Sequence, residues 1–524
     1  MPALSSVTNT PEGPRVDVPR DYNAAYDLIE RNLRAGRGAK TAYIDDHGQC
    51  TYAELAERVN RAANALIALG LQMEDRIMVA MLDGIDWPTV FLGAIKAGIV
   101  PIAANTLLTP ADYEFMLLDS RAKALIVSGA LLPTLHPVAA RSAFMKHVIV
   151  ADEPGPDGLP ALLARAGTQF EPAPTTADDP CFWLYSSGST GKPKGTVHLH
   201  ASPIQTAELF ARHTLGLRED DVIFSAAKLF FAYGLGNALS FPLAVGATTV
   251  LMAERPTPDA VFKRLREQQP TVFCGVPTLY ASMLAAATLP AADELTLRLC
   301  TSAGEALPAD LGRRFTAHFG VDILDGIGST EMLHIFLSNR PGDVRYGTTG
   351  KPVAGYEVRL VDDEGAAVPA GELGELQIRG PSSAAFYWNN REKTQATFVG
   401  PWTRSGDKYH VDEDGYYVYG GRSDDMLKVS GQYVSPFEVE AALITHPVVL
   451  EAAVVGHEDE EGLVKPKAFV VLRAATEDAP DMAEVLRQHV KASLAPHKYP
   501  RWIEFVAELP KTATGKIQRF KLRG

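Results

Sequence analysis

The sequence predicts an α/β protein. We expect a large N-terminal domain of parallel-sheet α/β subdomains plus a β-rich subdomain, then a small mobile α+β C-terminal domain. Two observations lead to this prediction. Apolar, strand-like runs alternate with helical patterns over most of residues 21–319, which is typical of parallel sheets covered by helices. Beyond about residue 346, β-like runs lie between glycine-rich turns, and a unit of domain size follows. The predicted domains are 21–423 and 424–524.

Length and composition are those of an ordinary globular chain. The 524 residues are 46% hydrophobic and 22% charged, with a net charge of −13. This acidic balance disfavours binding to nucleic acid, because such binding requires the neutralisation of phosphates. The four cysteines are widely separated and form no C-x-x-C pair. Neither a zinc site nor a disulfide framework is therefore predicted, and a reducing, cytoplasmic location is expected.

Two stretches bear on targeting and membranes. Residues 1–20 are rich in proline, serine and threonine and lack the apolar segment of a signal peptide, so a flexible tail is predicted. Residues 229–253 carry no charge and are long enough to span a bilayer, but they contain several glycines, Asn237 and Pro242. We interpret them as a turn, a buried helix and a strand of a globular core, and predict no membrane association.

Helical periodicity and short apolar runs predict the individual elements. Helices are predicted over 53–69, 87–97, 258–268, 278–287, 309–319, 436–443 and 482–494. Strands are predicted over 76–82, 100–103, 124–127, 147–150, 221–225, 247–252, 271–274, 297–302, 358–361, 375–378, 450–455 and 468–472. The first two helices are each followed by a glycine, Gly70 and Gly98, which suits a helix end.

A stretch over 185–195, rich in glycine, hydroxyls and lysine, is the strongest local signal. Glycines let a backbone approach a ligand, and adjacent N–H groups, hydroxyls and lysines can then face one anion. It is not a Walker A loop, because Ser186 stands where that motif needs a glycine and Pro193 follows Lys192. A polar surface loop is the structural alternative. The predicted phosphate-binding residues are Ser186, Ser187, Gly188, Ser189, Thr190, Gly191, Lys192 and Lys194.

Residues 228–236 place aromatic side chains against two glycines. Core packing accounts for this pattern, but glycines also leave room for a flat group that rings can line. Shortly after the glycine-rich stretch, His198 and His200 form an H-x-H pair that would share one face of a strand. No acidic or thiol partner lies nearby in sequence, so we expect packing or capping roles for this pair and not zinc binding.

Residues 325–331 form the second strong signal. Glu331 offers a carboxylate to a hard cation such as Mg²⁺, which proteins bind through one or two carboxylates and substrate phosphates. The structural alternative is that Glu331 caps a helix beginning here, with His334 and Ile335 about one turn further along.

The stretch 185–195 closely resembles the phosphate-binding signature of the adenylate-forming enzymes, which include acyl-CoA synthetases, adenylation domains and luciferases. Residues 325–331 are similar to a second signature of that family, with Gly328 at one usual hydroxyl position. The matches follow the family's order over residues 181–520. The resemblance implies that ATP converts a carboxylate to an acyl-adenylate, from which CoA displaces AMP.

The resemblance also implies roles for individual residues. Thr330 would contact the α-phosphate and Glu331 would bind Mg²⁺. Further residues implied at the ATP site are Gly304, Glu305, Asp325 and Gly326. The residues implied around the acid are Tyr233, Gly234, Ala303, His334 and Ile335.

In the C-terminal half, the resemblance implies a ribose site, a hinge and a mobile lysine. Asp407 would bind the ribose hydroxyls, in a segment where Ser405 replaces the usual threonine, and Arg422 would contact the ribose or phosphates. Asp424 is the implied pivot. Lys516 matches the lysine that enters the site for adenylation, and its setting suits acetylation and deacetylation by lysine-modifying enzymes. The implied CoA-binding residues are Lys428, Ser430 and Gly431.

Together these features predict an AMP-forming acid–thiol ligase that uses Mg²⁺, ATP and CoA. Segments 230–236 and 328–336 are most similar to benzoate–CoA ligases and their hydroxybenzoate relatives, so benzoate is the expected acid. The alternatives are 4-hydroxybenzoate or another aryl acid as substrate, or a carrier-protein adenylating enzyme. A non-catalytic nucleotide-binding protein is a further alternative, but it would be expected to lack Lys516 or Glu331.

Overall fold

A computed structural model describes the chain apart from residues 1, 12, 189–190, 424, 430–431, 460–462, 474–480, 496–497, 512–516 and 524. Within that part, one sheet of the large domain has seven strands, in the order Phe386–Tyr387, Gly191–Leu199, Pro180–Gly188, Val100–Ala103, Arg76–Ala80, Ala124–Val127 and His147–Val150. The last five run parallel, and the first two pair antiparallel. Parallel strands need helical crossovers, which cover both faces and explain their apolar sequences.

A second sheet repeats this architecture. Among the described residues it has nine strands, in the order Lys351–Pro352, Ile335–Ser338, Ile323–Gly328, Leu299–Ser302, Val272–Gly275, Val222–Ser225, Thr248–Val250, Thr41–Asp45 and Gly48–Thr51. The central strands are parallel, and antiparallel strands close both edges. The largest hydrophobic core contains residues from both sheets and from the helices between them. Residues at the ends of strands from the two sheets can therefore face one cleft.

The remaining sheets are smaller and largely antiparallel. The β-rich subdomain pairs Glu357–Val361, Gly374–Arg379, Trp402–Val411 and Phe398–Val399, with Tyr417–Arg422 added to Trp402–Val411. The C-terminal part has a hairpin, Leu427–Val429 with Gln432–Val434, and a sheet of Val449–Glu458, Val464–Leu472 and Trp502–Phe505. A separate apolar core lies under that last sheet and its helices, as expected for a unit that folds around its own core.

Helices surround these sheets. The α-helices are Ala24–Arg34, Tyr52–Ala68, Asp86–Lys96, Pro110–Ser120, Leu132–Ala139, Leu159–Arg165, Ser202–Thr206, Ala232–Leu235, Phe241–Val245, Pro258–Gln268, Pro277–Ala285, Ala309–Phe319, Arg391–Thr397, Pro436–Ile444 and Met482–Ser493. Short 3₁₀ turns occupy Gly129–Leu131, Ala292–Glu294 and Arg519–Lys521, and π-helical segments occupy Ala207–Arg212 and Gly236–Ser240. The π-helical segment after Tyr233 is notable because such segments are frequent at functional sites.

The predicted fold class is confirmed. Helices 258–268 and 309–319 and strands 100–103, 124–127 and 147–150 have the predicted bounds. Gly70 and Gly98 have φ values of +81° and +70°, the left-handed conformation that glycine adopts most readily at helix ends. The uncharged stretch 229–253 consists of short helical segments and the strand Thr248–Val250. Among the described helices, none combines the length and apolarity needed to cross a bilayer.

Two local expectations are wrong. Residues 1–20 do not form a loose tail throughout, because Ser6–Thr10 and Gly13–Asp17 pair as an antiparallel hairpin that buries Val16. No helix begins at Glu331 in the described chain. Instead, Ile323–Gly328 and Ile335–Ser338 pair as antiparallel strands, with Gly328 opposite Ile335. The connecting residues turn sharply, and Leu333 has a φ of +65°.

Candidate active site

The predicted phosphate-binding stretch includes parts of two antiparallel strands. Pro180–Gly188 is the first of these strands, and Gly191–Leu199 pairs alongside it. Trp183 packs against Trp388 with a ring separation of 4.6 Å, which helps to hold the hairpin against the strand Phe386–Tyr387. Ser189 and Thr190 lie outside the described residues. The backbones of Gly188 and Gly191 pair directly at the base of the turn.

Glu331 lies beside this hairpin. Its Oε1 accepts a hydrogen bond from the Tyr387 hydroxyl at 2.6 Å and a longer one from the Ser186 hydroxyl at 3.4 Å. Burial, with Glu331 adding to it, raises the pKa of Tyr387 well above its ordinary value, so this phenol stays protonated and donates. Ser186, from the first signature, and Glu331, from the second, are therefore in contact.

Lys194 brings a cation to the same place. Its Nζ lies 4.7 Å from the centre of the Tyr387 ring. Burial lowers the pKa of Lys194, Glu331 opposes that shift, and the nearby cations Lys393 and Arg422 add to it. The ammonium is thus partly desolvated among other cations, which favours the binding of an anion.

The ribose-site residues also meet. Arg422 Nη1 donates to Asp407 Oδ1 at 3.3 Å and to the carbonyl of Ser405 at 3.2 Å. The Ser405 hydroxyl donates to the carbonyl of Leu376 and accepts from the backbone N–H of Asp407. Both hydrogen bonds use only the hydroxyl group, which serine and threonine share. Serine can therefore replace the usual threonine at this position.

The further residues implied at the ATP site lie in or directly after two neighbouring parallel strands, Leu299–Ser302 and Ile323–Gly328. Asp325 pairs with Ser302 across the strands and is 5% exposed. Burial raises the pKa of the Asp325 carboxyl well above its ordinary range. Its Oδ1 has no hydrogen-bond partner among the described residues. Beyond Ser302 the chain continues through buried Ala303 to Gly304, whose φ of +95° turns it at the end of the strand, and then to Glu305.

The acid-site residues form an aromatic cluster around His334. The His334 ring lies 4.4 Å from Phe241, 5.4 Å from Phe210 and 5.6 Å from Tyr233, measured between centroids. Its Nε2 faces the Tyr233 carbonyl at 3.2 Å, and the Tyr233 hydroxyl bonds the Thr301 hydroxyl at 2.6 Å. These contacts hold both the backbone carbonyl and the side-chain hydroxyl of Tyr233 in position.

Burial fixes the protonation of His334. It lowers the pKa of the imidazole to about 3, so the ring is neutral at pH 7. Because a carbonyl accepts, Nε2 carries the proton and Nδ1 does not. Nδ1 is buried and has no hydrogen-bond partner among the described groups. It is an available acceptor within an apolar cluster.

Glycines make the close packing at the acid site possible. A Cβ at Gly236 would lie 2.3 Å from His334 Cδ2. A Cβ at Gly234 would lie 2.0 Å from the carbonyl oxygen of Lys228. A Cβ at Gly326 would lie 3.0 Å from Cγ2 of Ile335. Glycine is required at these positions because of contacts that only the folded chain creates.

The C-terminal predictions fall mostly on residues outside the described part of the chain. These are Asp424, Ser430, Gly431 and Lys516. Their roles stay predictions, as do those of Ser187, Lys192 and Lys428, for which the structure describes only the backbone.

Sequence reasoning missed Tyr387, Phe210, Phe241 and Thr301. None belongs to the segments that were assigned a role, and each comes from a different element. Tyr387 stands in an ordinary-looking pair of aromatic residues before Trp388, so its contact with Glu331 has no local sequence signal.

Comparison with known proteins agrees with this geometry. A family described as AMP-binding enzyme matches residues 29–388, and its C-terminal domain family matches residues 438–516. The first match alone covers more than half of the chain. The chain belongs to the AMP-binding enzyme family. The family predicted from the sequence is therefore confirmed.

Two curated AMP-binding enzymes are similar over nearly the whole chain. The benzoate–CoA ligase of Thauera aromatica is 67% identical, covering 99% of each chain. The 4-hydroxybenzoate–CoA/benzoate–CoA ligase of Rhodopseudomonas palustris is 52% identical, covering 96% of this chain and 94% of that one. Among solved structures, a benzoate CoA ligase from Burkholderia xenovorans LB400 has a TM-score of 0.91 at 59% identity, covering 96% of this chain and all of that one.

Proposed function

We propose that this protein is an AMP-forming benzoate–CoA ligase. It converts benzoate, ATP and CoA to benzoyl-CoA, AMP and pyrophosphate. One observation carries the proposal: a single turn, residues 330–335, joins the phosphate end of the site to the acid end. Glu331 lies against the glycine-rich hairpin, while His334 lies in the aromatic cluster with Tyr233. A carboxylate held at one end can thus meet the α-phosphate held at the other.

In the first step, a benzoate oxygen attacks the α-phosphorus, and pyrophosphate leaves. No covalent enzyme nucleophile is needed, so catalysis depends on position and on charge stabilisation. We propose that Lys194 and Thr330 bind the phosphates, that Asp407 and Arg422 bind the ribose, and that Lys516 balances the charge that develops between carboxylate and phosphate.

The residues present also suit Mg²⁺. The described part of the chain contains no cluster of three acidic, histidine or cysteine side chains that could enclose a metal. It does place the single carboxylate of Glu331 beside the hairpin, and described hydrogen bonds reach only its Oε1. One carboxylate together with substrate phosphates is an arrangement that Mg²⁺ accepts. When bound, the ion would neutralise phosphate charge, and Glu331 would hold it.

The acid end favours a small flat ring. Tyr233 and Gly234 are proposed to lie along the ring of the acid, with Ala303, His334 and Ile335 around it. Benzoate has few internal rotations to lose, so a narrow apolar slot binds it with little ordering cost. Acetate would bury less apolar surface, at roughly 25 cal/mol per Å².

A hydroxybenzoate is a second candidate, and a specific observation supports it. His334 Nδ1 is a buried acceptor without a described partner. A ring hydroxyl that reached it would be satisfied, whereas benzoate leaves it unpaired.

In the second step, the CoA thiolate attacks the benzoyl carbonyl and AMP leaves. Lys516 must occupy the site first and the thiol must approach the same carbonyl later, so we propose that residues after 424 rotate between the steps. Asp424→Pro would restrict φ to about −65° at the pivot. Thioester formation should then slow more than adenylation. Normal rates for both steps would place the pivot elsewhere.

Isotope transfer and a substrate panel test the function. With ¹⁸O-labelled benzoate, one labelled oxygen should appear in AMP, because the attacking carboxylate oxygen stays on phosphorus. Label in pyrophosphate, or ADP as product, would contradict the adenylate route. The panel compares kcat/KM for benzoate, 4-hydroxybenzoate, acetate and octanoate with free CoA. A preference for either aliphatic acid, or no reaction without a carrier protein, would overturn the proposal.

A further inference from the structure

The two histidines of the H-x-H pair have different partners. Both are buried, with exposures of 0% and 1%, and burial lowers the pKa of each to about 4. His200 Nδ1 accepts from the backbone N–H of Ala24 in the first turn of a helix, at 3.1 Å. His198 Nε2 instead faces the carbonyl of Thr330 at 2.8 Å. One histidine holds a helix start, and the other holds the peptide between Thr330 and Glu331.

His198 lies on the strand face that borders the phosphate end. Lys194 and His198 share this face of Gly191–Leu199, since side chains alternate along a strand. The His198 ring is stacked on Phe182 of the neighbouring strand, with centroids 5.3 Å apart and planes at 26°. This stacking fixes the orientation of the ring independently of its contact with Thr330.

The turn after Thr330 is held by donors from several elements. The Thr330 carbonyl accepts from His198 Nε2 and from the N–H of Leu333. The Glu331 carbonyl accepts from the N–H of Ala384 at 2.8 Å. The next carbonyl, that of Met332, accepts from the Ser382 hydroxyl at 2.7 Å. Of the donors to these three carbonyls, His198 is the one that comes from the strand carrying Lys194.

The protonation of His198 is settled by its surroundings. The Thr330 carbonyl can only accept, so Nε2 carries the proton. Nδ1 is buried without a described partner. An unpaired buried nitrogen costs stability, and a neutral apolar residue of similar size would avoid that cost. The ring thus makes one polar contact, and that contact is with the residue before Glu331.

We propose that His198 is a positioning residue for adenylation, which sets Thr330 and Glu331 against the α-phosphate of ATP. The proposal rests on the function proposed above. Displacement of a reacting group by about 1 Å can cost about 100-fold in rate. Loss of the His198 donor should therefore lower the rate of adenylation without altering the acid site.

Two variants of similar length separate the donor from the volume it fills. His198→Met removes the donor, whereas His198→Gln keeps an N–H near the position of Nε2. We expect His198→Met to lower kcat of benzoate-dependent ATP–pyrophosphate exchange by about 10- to 100-fold, with KM for benzoate within about threefold. His198→Gln should recover most of the loss. The Kd of ATP in the presence of Mg²⁺, measured by calorimetry, should be higher in His198→Met than in the unmodified protein. In His198→Gln it should be close to the unmodified value.

His200→Met is the matched control, because it removes the other buried ring of the H-x-H pair. It should lower the melting temperature and leave kcat close to that of the unmodified enzyme. If His198→Met does not fold, His198→Phe, which can keep the stack on Phe182, replaces it. Equal kcat for the Met and Gln variants at position 198, or an equal loss from His200→Met, would overturn the proposal. If the unmodified protein exchanges pyrophosphate but makes no thioester, the proposed function is wrong. The role of His198 in adenylation can still be tested by pyrophosphate exchange in that case.

Discussion

The two ends of the site are built differently. At the acid end, His334 is in contact with three aromatic rings and is 3% exposed, and its partners are apolar or backbone groups. At the phosphate end, Lys194 and Arg422 are only partly buried, and the bond from Arg422 to Asp407 is 3.3 Å long. The acid end is close-packed and neutral, while the phosphate end is polar, charged and only partly buried.

This difference indicates how each ligand is selected. A close-packed apolar slot discriminates by shape, because an interior yields little to extra volume. At the charged end, we expect nucleotide groups to be bound through short charge-assisted hydrogen bonds to Lys194 and Arg422. Changes at the acid end should therefore alter which acid reacts, and changes at the phosphate end should alter adenylation for every acid.

The largest effect is expected from Lys516→Ala, because Lys516 is predicted to act on the charge that develops during adenylation. Loss of one preorganised donor to developing charge costs about 10²–10³ in rate. Pyrophosphate exchange should fall by that factor for every acid, while thioester formation from supplied benzoyl-adenylate should be much less affected. Equal losses in the two half-reactions would remove Lys516 from its assigned step.

Gly236→Ala should produce the opposite pattern at the acid end. The added Cβ would come within 2.3 Å of His334, and overpacking of this kind costs about 1–3 kcal/mol. We expect kcat/KM for benzoate to fall by about 10- to 100-fold, with KM for ATP unchanged. Gly167→Ala is the control for a glycine-to-alanine change without overpacking, because a Cβ added there would lie 3.5 Å from the nearest atom. A change in KM for ATP as large as that for benzoate would mean that the two ends are not independent.

A smaller loss is expected from Asp407→Asn. The amide keeps the shape but loses the charge that accepts ribose hydroxyls, and a hydrogen bond to a charged group contributes about 1.5–3 kcal/mol. KM for ATP should rise by roughly tenfold or more, equally with benzoate and 4-hydroxybenzoate. An effect confined to one acid would contradict the division between the ends.

The smallest effect concerns stability and pH. His334 has a folded pKa of about 3, below its ordinary value of 6.5, so the unfolded chain binds its proton first as pH falls. The contribution of the neutral His334 ring to the free energy of unfolding is fully present above pH 6.5. It is lost between pH 6.5 and 3, by at most about 1.4 kcal/mol per pH unit. The free energy of unfolding in urea at pH 7 and pH 5 should therefore depend less on pH in His334→Asn than in the unmodified protein. Exposed His47→Asn serves as the control. An unchanged slope in His334→Asn would show that this ring takes up its proton as readily in the folded chain as in the unfolded one.

Much of the fold could be predicted because its signals are local. Alternating apolar runs and helical periodicity located the parallel strands, and the glycine-rich stretch predicted a phosphate site, since both signals depend on neighbours in sequence. The misplaced helix at Glu331 shows the limit. Residues after Gly328 look able to start a helix, but the strand Ile335–Ser338 pairs back on Ile323–Gly328 and turns the chain.

The sequence by itself determined the family, the α/β architecture and the chemical types at the two ends of the site. Only the tertiary structure decided which side chains meet. The contact of Tyr387 with Glu331 joins residues 56 positions apart, and that of His198 with Thr330 joins residues 132 apart. The physical reason is that a hydrogen bond or a ring contact needs atoms within a few ångströms, and such proximity between distant residues arises from packing of the whole chain.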